Sequence, residues 1–154
     1  KNIIILTFAV VYYCINRKKL RGIGLAKILV VEDDKDLNNA YCVILKHEGH
    51  EVIPAYDGKD ALNKLESFEP DLILLDLLMP IMGGLEFLQE CDIPAKGSKQ
   101  KVLIFTNMEN SPEVAEAYRL GANRCIIKSW TAPHNLAKVV SDTLLSNSTV
   151  RSVA

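Results

Sequence analysis

The chain has 154 residues, enough for one domain with a full core, and its 49 % hydrophobic and 24 % charged content is the ordinary globular mix. Its formal net charge of −1 is uneven: residues 1–24 hold five basic residues and no acid, and the remainder holds 13 basic against 19 acidic residues, which argues against direct nucleic-acid binding. Cys14, Cys42, Cys91 and Cys125 are far apart with no CxxC pair, which argues against a zinc site or a disulfide framework and fits a reducing cytosol.

Ile3 to Ile15 is almost wholly apolar, and NRKKLRG follows. Three readings of residues 1–24 stand. A spanning helix needs about 20 apolar residues. This run is shorter, but the chain starts at Lys1, and a segment cut short upstream would tether the following domain to the cytosolic side of a membrane. A secretory signal fits poorly, because most of the charges follow the apolar run. The third reading is a translated upstream region: no Met precedes Met79, Leu25 fits a TTG start read literally, and KKLRG fits a translated ribosome-binding stretch. N-terminal sequencing that found residues before Leu25 in the native protein would remove that reading.

From Lys27 onward, strand and helix patterns alternate. Lys27–Val31 is a short apolar run, predicted to be a buried strand. Leu37, Ala40, Tyr41, Ile44 and Leu45 follow at helical spacing, predicting an amphipathic helix over Lys35–His47 that Gly49 ends. Glu51–Ala55 is a second strand, and Ala61, Leu62, Leu65 and Phe68 mark a second helix before Pro70. Leu72–Leu75 is a third, fully apolar strand, and Gly83 and Gly84 open a short helix around Leu85, Phe87 and Leu88. After a polar loop from Cys91 to Gln100, Val102–Phe105 is a fourth strand, and Pro112 starts a helix that runs to Leu120, with Gly121 as its C-cap. Arg124–Ile127 is a fifth strand; Leu136, Val139, Val140, Thr143 and Leu144 mark a last helix, before a frayed tail at 147–154.

Five βα units with apolar strands predict an α/β fold, a parallel sheet covered on both faces. The expected form is a flavodoxin-like, doubly wound (βα)5 sandwich with strand order 2-1-3-4-5. The domain is expected over 25–146, with no second domain.

Function in such sheets collects at the carboxyl ends of the strands. There the sequence puts Glu32, Asp33 and Asp34 after the first strand, Asp76 after the third, Thr106 after the fourth and Lys128 after the fifth. Singly, each has an ordinary explanation: Asp34 as a helix N-cap, Thr106 as a strand residue, Lys128 as a solvated strand end. Together they form one rim. The first and third strands are neighbours in this order, so their ends lie about 5 Å apart. Carboxylates that close repel unless a cation intervenes, and such oxygen donors suit Mg²⁺. This explains why LILLDLLMP, Leu72 to Pro80, carries a carboxylate in an apolar run: Asp76 ends its strand and faces a cleft.

The motifs KILVVEDD, LILLDLLMPIMGG, VLIFTN and LGANRCIIKS resemble those of response-regulator receiver domains of two-component systems. The spacing agrees: Asp76 lies 43 residues after Asp33, Thr106 lies 30 after Asp76, and Lys128 lies 22 after Thr106. The resemblance spans about Ala26 to Leu145 and implies a stand-alone receiver. It implies that Asp76 accepts a phosphoryl group from a histidine kinase or phosphotransfer protein. It implies Mg²⁺ held by Asp33 and Asp76, by Glu32 through water and by the Leu78 carbonyl. Thr106 would bond to the bound phosphoryl group, and Lys128 would pair with Asp76 and then with the phosphate. A cytoplasmic switch follows rather than an enzyme, working through the fourth helix, fifth strand and fifth helix, where Ala115, Tyr118, Arg119 and Lys138 fall. The downstream target is unnamed, and a phosphorylation-dependent homodimer stays open.

The chain departs from the family at four places. Ser129 stands where Pro usually follows the lysine, often after a cis bond, which before a non-proline costs about 3 kcal/mol. Cys125 stands where the switch aromatic is usual, leaving Trp130 and Tyr118 as substitutes. Asn107 replaces a smaller residue and narrows access to the phosphoryl group. Leu78 and Met108, two beyond Asp76 and Thr106, cannot orient a water, so a slowly hydrolysing acyl phosphate is expected. Three rivals compete. A dehalogenase-type phosphatase would need a second aspartate where Leu78 stands. The others are a receiver-like module that never takes phosphate and a membrane-tethered receiver.

Overall fold

β1 (Lys27–Val31), β2 (Glu51–Ala55), β3 (Leu72–Leu75), β4 (Lys101–Thr106) and β5 (Arg124–Ile127) alternate with five helices: α1 (Lys35–His47), α2 (Gly58–Leu65), α3 (Gly84–Cys91), α4 (Pro112–Arg119) and α5 (Leu136–Leu145). The computed structural model describes residues 25–91, 99–108, 111–131 and 133–146. The expectations placed on residues 1–24 and 147–154 lie outside the described residues.

All strand pairs are parallel, in the expected order β2-β1-β3-β4-β5. Side chains alternate across each strand, so every strand feeds two apolar layers. Ile28, Val30, Leu72, Leu74, Leu103 and Phe105 meet Tyr41, Cys42 and Leu45 of α1 and Leu136 and Val140 of α5. On the other face, Leu29, Val31, Ile73, Leu75, Val102 and Ile104 meet Ala61 of α2, Phe87 and Leu88 of α3 and Ala117 of α4. This is the doubly wound arrangement, with apolar strands buried on both sides.

Helix ends follow local chemistry. The Asp34 side chain accepts from the N–H groups of Asp36 and Leu37 at 2.9 and 3.0 Å and starts α1, as expected of an N-cap. Gly49 and Gly121 follow α1 and α4 with φ of +97° and +103°, where an L side chain is strained.

Three expectations shift. β4 begins at Lys101 and ends at Thr106, one residue longer at each end, because β3 and β5 both supply partners, Leu72 to Lys101 and Ile127 to Thr106. α4 stops at Arg119, with Leu120 as its cap. The buried stripe of α1 is Asn38, Tyr41, Cys42 and Leu45, while Leu37 is exposed and Ile44 is half-buried. The stripe is thus turned by one residue from the one read off the apolar pattern, bringing an amide inward and a leucine out.

Candidate functional site

The register sets the rim. Val31 of β1 pairs with Leu75 of β3, and the Asp76 N–H donates to Val31 O at 3.0 Å, so Glu32 and Asp76 leave the sheet side by side. Thr106 pairs with Ile127, which delivers Lys128 to the same edge. The carboxylate oxygens of Glu32, Asp33 and Asp76 lie within 4.8 Å of one another. Glu32 and Asp76 are buried and Asp33 is exposed. Asp34, capping α1, stands outside the cluster.

Lys128 completes it. Its Nζ lies 2.6 Å from Asp76 Oδ2 and 2.6 Å from Glu32 Oε2, with all three side chains under a tenth exposed. The contact to Asp76 is a hydrogen bond, and the one to Glu32 is an ion pair in which the ammonium is shared between two buried carboxylates. Burial pushes the Glu32 carboxyl above its usual range; Lys128 opposes the rise, and Asp76 and Asp33 add to it. Burial works against the Lys128 ammonium, but Asp76 and Glu32 outweigh it and its pKa is raised. The rim therefore sets three carboxylates against one ammonium. That surplus of negative charge and the hard oxygen donors fit a small divalent cation such as Mg²⁺.

The other Asp76 oxygen faces the main chain. Oδ1 accepts from the Leu77 N–H at 2.7 Å and lies 3.4 Å from the Leu78 N–H. The Leu78 side chain is exposed, and its backbone N–H is the part of the residue that contacts Asp76. Thr106 is fully buried, and its Oγ1 accepts from the Met108 N–H at 3.4 Å, within its own loop.

The floor beneath Asp76 is filled to backbone contact. Gly84 N–H donates to Leu77 O at 3.1 Å. A Cβ at Gly84 would fall inside any allowed distance of Asp76 O and 2.9 Å from Leu77 Cα. Between them the chain makes a tight turn, with Met82 N–H donating to Pro80 O at 2.8 Å and Ile81 at φ +69°. This φ and this three-residue bond belong to the strained form of the γ-turn.

Two departures resolve. No cis peptide occurs among the described residues, and Lys128–Trp130 forms a 3₁₀ turn, so the loop after Lys128 is built without the family's proline. At Cys125 the backbone takes a new partner: its N–H donates to Tyr118 Oη of α4 at 2.9 Å. Tyr118 is half-buried and engaged, while Ala115, Arg119 and Lys138 are exposed.

One contributor escapes a reading by residue class. Asn38, fully buried, donates from Nδ2 to Glu32 O at 2.9 Å and to Ala55 O at 2.8 Å. Its sequence signal was an amide at helical spacing from Tyr41, Cys42 and Leu45.

The family sequence pattern described as "Response regulator receiver domain" matches residues 28–141. Among solved structures, the chain resembles a CheY-like response regulator receiver domain protein from Methanospirillum hungatei at 28% identity and a TM-score of 0.71, over 79% of this chain and 94% of that one. It resembles the chemotaxis response regulator CheY4 of Vibrio cholerae at 30% identity and a TM-score of 0.69, over 78% and 99%. A LuxR-family DNA-binding response regulator from Staphylococcus aureus matches at 26% identity and a TM-score of 0.69, over 78% and 99%. With the 2-1-3-4-5 sheet and the acidic rim already in place, the match over most of the chain makes it a member of the response regulator receiver domain family.

Proposed function

We propose that the chain is a phosphorylation-driven switch in which Asp76 accepts a phosphoryl group from a histidine kinase or a phosphotransfer protein. The observation that carries this reading is the Asp76 carboxylate, buried at a strand end, hydrogen-bonded to Lys128 and clustered with Glu32 and Asp33. An Asp76 oxygen attacks phosphorus, and the bond from phosphorus to the donor's imidazole nitrogen breaks with its electron pair going to that nitrogen. Lys128, already charged and within reach, follows the incoming oxygens. The Leu77 N–H steadies the carboxylate oxygen it bonds. Asp33 and Asp76, with Glu32 and the Leu78 carbonyl, would hold Mg²⁺, which supplies positive charge against the transferring phosphoryl oxygens.

The new group brings about −1.5 to −2 charge and several acceptors. Thr106, with its hydroxyl turned to Met108, would turn toward the phosphate and draw the β4–α4 loop with it. That shifts a two-state equilibrium read out on α4, β5 and α5. Ala115, Arg119 and Lys138 present the exposed part of that face. The exposed apolar Leu78 leaves no group there to orient a water, which supports a long-lived acyl phosphate. In this reading the domain spans 25–146, works in the cytoplasm as a switch rather than a turnover enzyme, and meets a membrane only if residues 1–24 are a tether. Among the described residues no helix is long and apolar enough to cross a membrane.

The test is incubation with acetyl phosphate, with and without Mg²⁺, followed by intact mass. One phosphoryl adduct is expected, requiring Mg²⁺ and lost in Asp76→Asn. A folded wild-type protein that takes no adduct would overturn the reading and favour a receiver that binds partners without phosphate.

A further inference from the structure

The geometry points to Asn38 as a positioning residue that holds the acidic turn Glu32-Asp33-Asp34 in place and so sets Mg²⁺ affinity. The inference rests on the Mg²⁺ reading of the rim proposed above.

Asn38 sits on the sheet-facing stripe of α1 and is wholly inaccessible to solvent. A buried amide without partners costs about 1–3 kcal/mol or more, so its partners reveal its use. The amide has two N–H groups: one donates to Glu32 O at 2.9 Å, the other to Ala55 O at 2.8 Å. Oδ1 accepts from the Cys42 thiol at 3.4 Å. Both amide N–H groups are thus spent where β1 and β2 end, and the oxygen is engaged within α1.

The turn is gripped at both ends by this one residue. The side chain holds the carbonyl of Glu32, and the main-chain N–H of Asn38 donates to Asp34 O at 2.8 Å, the opening bond of α1. Asp33 lies between the two grips. Glu32 N–H also donates to Ala55 O at 3.1 Å, so that carbonyl receives both Glu32 and Asn38. The peptide groups on either side of the Glu32 Cα are therefore fixed to the end of β2.

The restraint matters because of what the turn carries. Two of its carboxylates, with Asp76, converge within 4.8 Å. Before a cation binds, their repulsion pushes Glu32 and Asp33 away from Asp76, and the Lys128 ammonium opposes it electrostatically. A backbone free to yield would relax outward and would have to be drawn back by each ion that bound. Asn38 removes that freedom in advance. Residues that orient metal ligands through hydrogen bonds commonly govern about 10- to 100-fold of metal affinity.

A purely structural role would make Asn38 equivalent to other residues of its layer. Val140 of α5 supplies the comparison: it is fully buried in the same layer and belongs to a helix remote in sequence from the acidic turn. The full chain would be titrated with MgCl2 as wild type, Asn38→Ala, Asn38→Ser and Val140→Ala. Dissociation constants would come from backbone amide NMR shifts, and thermal midpoints would be taken without metal. Asn38→Ala is expected to weaken Mg²⁺ binding about tenfold or more, and Asn38→Ser, which keeps one donor, by less, while Val140→Ala loses stability and keeps its affinity within about twofold. Equal affinity losses in Asn38→Ala and Val140→Ala, or wild-type affinity in Asn38→Ala, would overturn the inference. If Asn38→Ala does not fold, Asn38→Ser against Val140→Ala decides by the same criterion. A wild-type protein whose amides do not respond to Mg²⁺ is a separate result: it overturns the metal reading and this inference with it.

Discussion

Ile81 is a β-branched residue held at φ +69° and 79% exposed, five residues after the phosphoacceptor candidate. Neither its packing nor its backbone is served by isoleucine: a strained positive-φ turn costs an L residue about 1–3 kcal/mol, and β-branching makes it worse. Asparagine tolerates that conformation and is polar. Ile81→Asn is therefore expected to stabilise the fold by about 1 kcal/mol, seen as a higher midpoint in urea or heat. An unchanged or lower midpoint would show that Ile81 makes stabilising contacts outside the turn. At this scale the sequence was partly legible. Glu32, Asp33, Asp76 and Lys128 come together because residue type, strand ends and register all point the same way. The strain at Ile81 was not legible, since an isoleucine gives no sign of the Met82-to-Pro80 bond that closes the turn around it. Asn38 was missed because an amide reads as surface until its partners, the carbonyls of Glu32 and Ala55, are seen.

Among the elements, β1, β2, β3 and β5 have the bounds that their apolar runs suggest, and the helix stops at Gly49 and Gly121 follow from glycine's freedom at positive φ. The rotation of α1 was less legible. Leu37 and Ala40 are as apolar as Cys42, and the phase is decided by Asp34 starting the helix and Asn38 reaching the sheet. The link between α4 and β5 was only half legible. Trp130 and Tyr118 were the two candidates to stand in for the aromatic missing at Cys125, and the bond from the Cys125 N–H to the Tyr118 hydroxyl could not be read from the sequence. Burial pushes the Tyr118 phenol up, so it stays protonated at neutral pH, its oxygen accepting from Cys125 N–H. Tyr118→Phe keeps the ring and removes that acceptor. It should cost about 1 kcal/mol of stability and speed hydrogen exchange at the Cys125 amide. Unchanged exchange at Cys125 would mean that the bond does not hold α4 to the sheet edge.

On the scale of the whole molecule, topology does most of the work. A parallel sheet in the order 2-1-3-4-5 places the ends of β1, β3, β4 and β5 on one rim, and the spacing of the acids, the threonine and the lysine fits that rim. α3 meets β3 through Gly84 with no room for a single carbon, so Gly84→Ala is expected to destabilise the fold by more than about 2 kcal/mol in urea unfolding, beyond the usual cost of one added methyl. A loss under about 1 kcal/mol would show that α3 can slide outward instead.

That contact has a mechanical corollary. Asp76 is braced from below by α3, whose backbone abuts its carbonyl, while on its flank stand Thr106 and the strand end that carries Lys128. A group attached to Asp76 finds an anvil on one side and, on the other, a hydroxyl and an ammonium held through side-chain contacts. Displacement can be rectified toward β4 and β5, and little of it should leak into α3. Gly84, which takes no part in the chemistry, would then decide the direction in which the signal travels.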